Sequence, residues 1–198
     1  MLGYADVPPG CVACVVTCLE MFERPALAPA PLPPGVVLQR NERVDIEAYR
    51  ALFRQVGADW LWTSRLAMSD EDLAATLADP RVEVFAIHRG DRDVGLLELD
   101  FREAGQCELA FLGLDGSATG QGLGRRVVNV AIAMAWSRPI DRLWIHTCSF
   151  DHPAALRLYS SCGFVPYAFQ VEVVPDPRIT GHLPTDVAPH VPLILPQS

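Results

Sequence analysis

Hydrophobic positions follow two different periods along the chain, and these periods predict its strands and helices. Residues 12–22 are rich in Val and Thr, which predicts a strand. Over residues 45–56, apolar side chains recur every three to four positions, which predicts a helix. The spacing of Ser69 and Asp72 is typical of a helix start and predicts a second helix that ends at Leu77.

The second half of the chain predicts a run of strands followed by an alternation of strands and helices. Strands are predicted over residues 82–88, 94–101, 107–114, 143–149 and 164–174, and helices over residues 125–136 and 153–161. Tight turns join the first three of these strands, which predicts an antiparallel meander. The strand–helix–strand step that follows predicts a right-handed parallel crossover. We therefore expect an α+β (mixed α/β) fold, with helices flanking a central mixed sheet.

Length and proline content indicate how the chain is divided. The 198 residues, half of them hydrophobic, fit one domain with a full core, so residues 1–198 are interpreted as a single domain. Residues 1–43 combine an N-terminal strand with a proline-rich connector, and residues 175–198 predict a proline-rich C-terminal arm that follows the surface. The apolar stretch at residues 191–195 can dock on this domain or on a partner, so a homodimer stays possible.

Charge and cysteine content limit the classes of partner. A net charge of -8 repels phosphate backbones, which argues against nucleic-acid binding and mildly favours cationic substrates such as amines. The apolar run at residues 11–19 is too short to span a membrane, and no basic leader precedes it, so we expect a cytoplasmic protein with no membrane attachment. Cys11, Cys14 and Cys18 offer too few ligands for a zinc or iron–sulfur site, so we expect buried strand cysteines and no metal.

A glycine-rich turn lies between a predicted strand and a predicted helix. Gly120, Gly122 and Gly124 follow Thr119 in this turn. Free N–H groups at a helix start bind anions, and glycines let the main chain approach a phosphate closely. The spacing lacks the Lys-Ser or Lys-Thr of a P-loop and differs from the G-x-G-x-x-G of a dinucleotide site. The turn therefore predicts a pyrophosphate site, with an unliganded turn as the alternative.

A second segment, after the next predicted strand, completes a resemblance to a known family. The pattern A-x-x-L-Y-x-x-x-G-F follows the glycine turn, and together they resemble the GNAT N-acetyltransferase superfamily over residues 108–164. Residues 44–101 fit the amino-terminal half of that family loosely, whereas both ends of the chain lie outside the resemblance. The matching residues are Gly120, Gly122, Gly124, Ala155, Leu158, Tyr159, Gly163 and Phe164.

The resemblance implies acetyl-CoA as co-substrate, with the pantetheine arm paired along a strand and the diphosphate held at the turn. It also implies a backbone N–H near Leu112 that polarises the acetyl carbonyl. The family usually has Gln or Arg where this chain has Thr119, and Asn where it has His152. The implied cofactor-binding residues are Leu112, Gly113, Leu114, Thr119, Gly120, Gln121, Gly122, Leu123, Gly124, Arg125, His152 and Tyr159.

The implied chemistry is direct attack by an unprotonated primary amine in a ternary complex. Tyr159 matches the family's general acid, which protonates the leaving thiolate. Glu108 matches the glutamate that serves as base, directly or through water, in the histone-acetylating branch. Alternation along the strand predicts that Glu108 shares a face with Ala110 and Leu112.

Several residues and two further functions remain as alternatives. Trp60 and Trp62, with Arg65, are candidates for the wall of an amine pocket, and core packing is the competing interpretation. A non-catalytic acyl-CoA-binding domain and a nucleotide-dependent oxidoreductase are the other functions, and the glycine spacing disfavours the second. Small-molecule and peptide amines both stay open as acceptors. The rival bases are Glu98, Asp100 and His146.

Overall fold

The computed structural model describes residues 3–26, 31–41 and 45–196, so part of the proline-rich connector lies outside the described residues. The elements predicted from the sequence are present, with ends that differ by a few residues. The strands are β1 Cys11–Met21, β2 Val36–Arg40, β3 Val82–Arg89, β4 Arg92–Asp100, β5 Gln106–Leu114, β6 Arg142–Cys148 and β7 Val165–Pro175. The helices are α1 Ile46–Gly57, α2 Asp70–Ala78, α3 Leu123–Ala135 and α4 Ala155–Ser161.

Side-chain caps explain where the first two helices begin. Asp45 accepts a hydrogen bond from the N–H of Ala48 at 2.8 Å, and Ser69 accepts one from the N–H of Asp72 at 3.1 Å. Each bond satisfies an N–H that has no partner within its helix. The cap predicted at Ser69 is confirmed.

The strands form one mixed sheet with the order β2-β3-β4-β5-β6-β1-β7. The predicted meander is confirmed, because β3, β4 and β5 pair antiparallel. The parallel pairing of the predicted crossover is also confirmed, because β5 and β6 pair in parallel across α3. The sequence patterns did not place β1, which enters between β6 and β7 and runs antiparallel to both.

Helices cover the two faces of this sheet and create a core on each. On one face, α1 and α2 bury Phe53 and Leu73 against Leu96 of β4. On the other face, α3 buries Val127 against Leu97 of β4. We call the α1–α2 side the front face and the α3–α4 side the back face.

The C-terminal arm does more than follow the surface, because its buried residues join the front core. Asp176 and Arg178 form a buried ion pair at 2.7 Å, and Arg178 donates a hydrogen bond to the carbonyl of Val191 at 2.8 Å. Leu183 and Val191 are buried in the same cluster as Val12 of β1. Within residues 191–195, Val191 therefore docks on the domain itself. Among the described residues, no helix has the length and apolar character that crossing a bilayer requires.

Candidate active site

A cleft of about 1030 Å³ opens where β5 and β6 diverge. The register of the two parallel strands ends at Glu108 and Trp144, although β5 continues to Leu114 and β6 to Cys148. Diverging strands leave backbone N–H and C=O groups facing the gap. An extended ligand can therefore pair with the exposed edge as an added strand would.

A β-bulge bends β5 inside the cleft. Glu98 of β4 lies opposite Phe111, and the next residue, Leu99, lies opposite Leu109. Ala110 is therefore the extra residue on β5. A bulge leaves that residue outside the ladder and increases the local twist, which re-aims the side chains that follow.

The bulge also changes which side chains share a face with Glu108. Beyond Ala110, Leu112 packs against the back core, and Phe111 packs against the front core. The prediction that Glu108 shares a face with Ala110 and Leu112 is therefore wrong for Leu112, because simple alternation fails across an inserted residue. Glu108 lies on the front side of the sheet with Phe111.

The glycine turn connects β5 to α3 and has the backbone conformation that only glycine adopts easily. Gly120 and Gly122 have φ angles of 76° and 75°, in the left-handed region. Gly122 is the N-cap of α3 and offers no side chain to cap it, and the first turn of this fully described helix carries no acidic residue. The first N–H groups of α3 and the positive end of its dipole are therefore available to an anion.

The residues of the predicted turn differ in how they face the cleft. Leu123 is buried in the back core, and the side chain of Gln121 donates a hydrogen bond to the carbonyl of Ser117 at 3.4 Å, so we expect both residues to act through their backbone. A Cβ added at Gly124 would lie 3.5 Å from Leu158, which is an ordinary van der Waals contact, so the packing of α4 on α3 does not require glycine there. The predicted cofactor residues that line the cleft are Leu112, Gly113, Leu114, Thr119, Gly120, Gly122, Gly124, Arg125, His152 and Tyr159.

Two polar side chains of this set already have structural partners. Thr119 donates a hydrogen bond to the carbonyl of Gly116 at 3.0 Å and so braces the turn. Arg125 donates to the hydroxyl of Ser161 at 2.6 Å and so ties α3 to the end of α4. The guanidinium is held at the glycine-turn end of the cleft, where its charge adds to the positive potential of the helix start.

His152 starts the turn that leads into α4. Its Nδ1 accepts a hydrogen bond from the N–H of Ala154 at 3.1 Å, and its ring lies edge-on to Trp60 at 5.3 Å. Because Nδ1 accepts a hydrogen bond, the proton of the neutral ring is assigned to Nε2. His152 thus serves as a backbone cap, as the amide oxygen of an Asn can, and retains a second polar atom.

Tyr159 lies on α4, buried in the back core and at the wall of the cleft. Its ring packs edge-on against Phe164 at 6.1 Å. Burial raises the pKa of the hydroxyl above its usual range, and the nearby Asp151 and Cys162 raise it further. The phenol therefore stays protonated at neutral pH, as a general acid must.

Glu108 forms a pair with His146 of the adjacent strand. Glu108 Oε1 lies 3.4 Å from His146 Nδ1, and both residues line the cleft. Hydrogen bonding in which Glu108 accepts from the imidazole raises the pKa of His146, burial opposes that rise, and the negative charges of Glu108, Asp151 and Glu172 support it. The structure thus brings together the predicted base and one of its rivals as a single carboxylate–imidazole unit.

The two rival carboxylates are bound to arginines. Glu98 is fully buried and accepts hydrogen bonds from Arg65 and, at 2.6 Å, from the hydroxyl of Tyr49. Both oxygens of Asp100 accept from the side chain of Arg102, at 3.0 and 2.8 Å. The oxygens of both carboxylates are occupied by these hydrogen bonds, so neither is a suitable base. Arg65 is likewise committed to Glu98.

The two tryptophans after α1 take different roles. The ring of Trp62 packs against Phe53 at 5.6 Å and Phe111 at 5.4 Å, so it belongs to the front core. Trp60 lies at the rim, between His152 at 5.3 Å and His190 at 5.9 Å. Both tryptophans line the cleft, so the core interpretation fits Trp62 and the pocket interpretation fits Trp60.

Asp151 is a cleft residue that the sequence analysis missed. Its Oδ1 accepts from Trp62 Nε1 at 2.9 Å, and its Oδ2 accepts from the hydroxyl of Thr147 at 2.7 Å and the N–H of Cys148 at 2.9 Å. It therefore joins the loop after α1 to the end of β6. Its position between a strand and a helix indicates a capping role. The sequence gives no signal for the hydrogen bond from Trp62, which lies 89 residues away.

Residues from both ends of the chain form a further wall that was also missed. Cys14 and Val16 of β1, Glu172 of β7, and Thr180 and His182 of the arm all line the cleft. The Cys14 thiol donates to the Glu172 carboxylate at 3.6 Å, and burial raises the pKa of this thiol. We call this the distal wall, because it lies beyond β6 from the glycine turn.

Comparison with known proteins agrees with this geometry. Residues 48–164, more than half of the chain, match the Acetyltransferase (GNAT) family. The chain is also similar to a mycothiol acetyltransferase of Beutenbergia cavernae, with 30% identity over 154 residues. That match covers 74% of this chain and 51% of the relative, so the chain spans about half the length of the curated relative.

Solved structures with similar folds have low sequence identity and therefore support the fold alone. A GCN5-related N-acetyltransferase from Sphaerobacter thermophilus has a TM-score of 0.62 and 12% identity, covering 85% of this chain and 52% of that one. An aminoglycoside acetyltransferase from an uncultured soil metagenomic sample has a TM-score of 0.53 and 18% identity, covering 65% and 88%. The diverging strands, the glycine turn and the tyrosine-bearing helix all lie within the matched residues, and the chain belongs to the GNAT acetyltransferase family.

Proposed function

We propose that this protein transfers an acetyl group from acetyl-CoA to a primary amine, by direct attack in a ternary complex. The observation that carries this proposal is the divergence of β5 and β6 at Glu108. One cleft thereby holds an uncapped helix start, a buried phenol at Tyr159 and the Glu108–His146 pair. These are the groups that acyl transfer to an amine requires: an anion site, an acid and a base.

The residues present fit coenzyme A. A Cβ at Gly120 or Gly122 would meet no atom within 4 Å, so the backbone of the turn is open to an approaching diphosphate. The backbone of β5 from Leu112 to Leu114 lies beyond the end of the parallel register, where a pantetheine arm can pair with it. Acetyl-CoA, when bound, supplies an activated thioester carbonyl.

The chain's own residues move two protons in this proposal. The acceptor reacts as the neutral amine, because the ammonium form has no lone pair. His146, held by Glu108, takes the proton that the nitrogen loses as it becomes an amide, directly or through water. The nitrogen bonds to the carbonyl carbon, whose oxygen accepts a hydrogen bond from a backbone N–H near Leu112. The carbon–sulfur bond breaks, and Tyr159 gives its proton to the departing thiolate.

The charge of the cleft favours a cationic acceptor, either a small-molecule amine or a peptide amine. Glu108, Asp151 and Glu172 line it, whereas Arg65 and Arg102 are paired with carboxylates. Negative potential raises the local concentration of cations near their site of reaction. The sequence contains no lysine, so an acetylated lysine found after the reaction must come from an added substrate.

A thiol-release assay with acetyl-CoA across amine classes tests this function. We expect coenzyme A release that depends on the acceptor, with polyamines, amino acids, aminoglycosides and amino-terminal peptides as the panel. Calorimetric binding of coenzyme A without release for any acceptor would favour a non-catalytic acyl-CoA-binding domain. Absence of coenzyme A binding would refute both functions.

A further inference from the structure

One carboxylate on the distal wall has no role in the mechanism described above. Four carboxylates line the cleft: Asp100, Glu108, Asp151 and Glu172. The first three are engaged by Arg102, by His146 and by the loop after α1, respectively. Glu172 accepts a hydrogen bond from the neutral thiol of Cys14 at 3.6 Å, and within the part of the chain that the structure describes it forms no ion pair. Its negative charge is therefore left for a ligand.

The charge of Glu172 opposes the reaction of a simple amine. It reaches the reacting centre, because it contributes to the raised pKa of His146. A negative charge near the reacting nitrogen stabilises its ammonium form, and that form cannot attack. An acceptor with a second cation that stays protonated throughout would instead gain from Glu172 and partly neutralise it.

The register of the sheet gives the separation of His146 and Glu172. Cys18 of β1 lies opposite His146 of β6, and Cys14 of β1 lies opposite Glu172 of β7. Four residues along β1 and two strand spacings across the sheet place the two Cα atoms roughly 16 Å apart. Because both side chains line the same cleft, their polar ends are closer than that, at about 7–10 Å. One short, extended molecule can therefore reach both groups.

An apolar floor lies between these two polar groups. Val16 lies between Cys14 and Cys18 on β1 and opposite Cys148 of β6, and these side chains form one cluster with Phe150 packed against it. Val16, Cys148 and Phe150 all line the cleft. Methylene groups are stabilised by contact with such a surface, whereas a polar group placed there loses its hydrogen bonds to water. The floor thus suits a hydrocarbon chain with a polar group at each end.

We propose that the acceptor is an α,ω-diamine, in which a short methylene chain joins the reacting primary amine to a second cationic nitrogen that Glu172 binds. This inference rests on the proposed acetyl transfer and specifies its acceptor. The reacting nitrogen lies near His146, the chain lies over Val16, and the second nitrogen stays protonated in the product. A separation of about 7 Å between the two nitrogens corresponds to roughly four to six carbons.

Three acceptors of equal length test the proposal in the thiol-release assay. n-Pentylamine lacks the second nitrogen of 1,5-diaminopentane, and free lysine carries a carboxylate beside it, so we expect the diamine to exceed both in kcat/KM by about 5- to 10-fold. Glu172→Gln should remove most of this preference. Glu172→Asp should keep it but favour a diamine longer by about one methylene, because the carboxylate is withdrawn by one carbon. Glu47→Gln, on the exposed start of α1, is the control and should leave the preference unchanged.

Calorimetric titration of the diamine and of n-pentylamine, with coenzyme A present, gives a reading that needs no turnover. Diamine binding that Glu172→Gln weakens supports the second-cation site, even if no acceptor releases coenzyme A and the acetyl transfer is thereby refuted. Equal affinity and equal kcat/KM for the diamine and n-pentylamine overturn the inference, while release of coenzyme A would leave the acetyl transfer standing. A preference for the diamine that survives Glu172→Gln overturns the inference as well.

Discussion

The two ends of the cleft are built from the chain in different ways. The glycine-turn end, where we propose that coenzyme A binds and which we call the cofactor end, comes from one stretch, residues 112–159. In this stretch the end of β5, the glycine turn, α3, β6 and the start of α4 follow one another. The distal wall and the rim come from β1, the loop after α1, β7 and the C-terminal arm. A contiguous backbone can hold a diphosphate by itself, whereas an acceptor needs side chains that converge from separate segments. We therefore expect substitutions at the two ends to separate effects on coenzyme A from effects on the acceptor.

The largest expected effect is that of Tyr159→Phe at the cofactor end. The ring can keep its contact with Phe164, but the proton for the thiolate is lost, so kcat should fall by about 10²- to 10⁴-fold. Coenzyme A affinity, measured by calorimetry, should not change. Tyr4→Phe is the matched control, because Tyr4 is fully exposed. An unchanged kcat would remove Tyr159 as the acid.

Glu108→Gln lies between the two ends and should lower kcat/KM by about 10²-fold. Glu108 raises the pKa of His146, so its removal lowers that pKa. The neutral imidazole then persists to lower pH, and the acid limb of the pH–rate profile should move to lower pH. A profile that keeps its acid limb in place would show that Glu108 does not act through His146. Glu71→Gln, on the exposed start of α2, is the control.

Gly122→Ala should weaken coenzyme A binding and leave the acceptor KM unchanged. Alanine in the left-handed conformation of this N-cap costs about 1–2 kcal/mol, which corresponds to roughly 5- to 30-fold in affinity. Gly116→Ala in the same turn is the matched control, because no positive φ is present there and an added Cβ meets no atom within 4 Å. Equal losses in both variants would contradict a conformational role for Gly122.

Asp151→Asn should have the smallest effect, on the acceptor. The Asn amide has one acceptor oxygen in place of two, so it can keep the bond from Trp62 or the bond from Thr147 but not both. The loop after α1 is then held less firmly, and the acceptor KM should rise by about 2- to 10-fold. Coenzyme A affinity should stay the same. If the bond to Trp62 is responsible, adding Trp62→Phe to Asp151→Asn should change the KM little further. Additive effects of the two substitutions would show that they act independently.

Much of the cofactor end could be predicted because short-range rules decide it. Gly120 and Gly122 adopt the left-handed angles that glycine tolerates. A short-range rule also holds at the start of α2, where Ser69 accepts a hydrogen bond from the N–H of Asp72. The family motifs lie in this same local part of the chain. The motifs therefore placed Tyr159 and the turn residues at one site, and in the structure they line the same cleft.

The base and the distal wall depended on contacts that no local pattern encodes. The sequence offered Glu98 as a rival to Glu108, but in the fold Glu98 is paired with Arg65, 33 residues away. The alternation rule failed at Ala110, because an inserted residue can be recognised only from the register of β4 with β5. Cys14 meets Glu172 across 158 residues.

The sequence by itself determined the order of the elements, the helix caps and the turn that can receive a diphosphate, because backbone conformation depends on near neighbours. The tertiary structure decided the position of β1 between β6 and β7, the pairing of Glu108 with His146 and the exposure of the β7 edge. Those outcomes depend on which strands become neighbours. Many pairings have similar local energies, and only the packing of the whole sheet selects one.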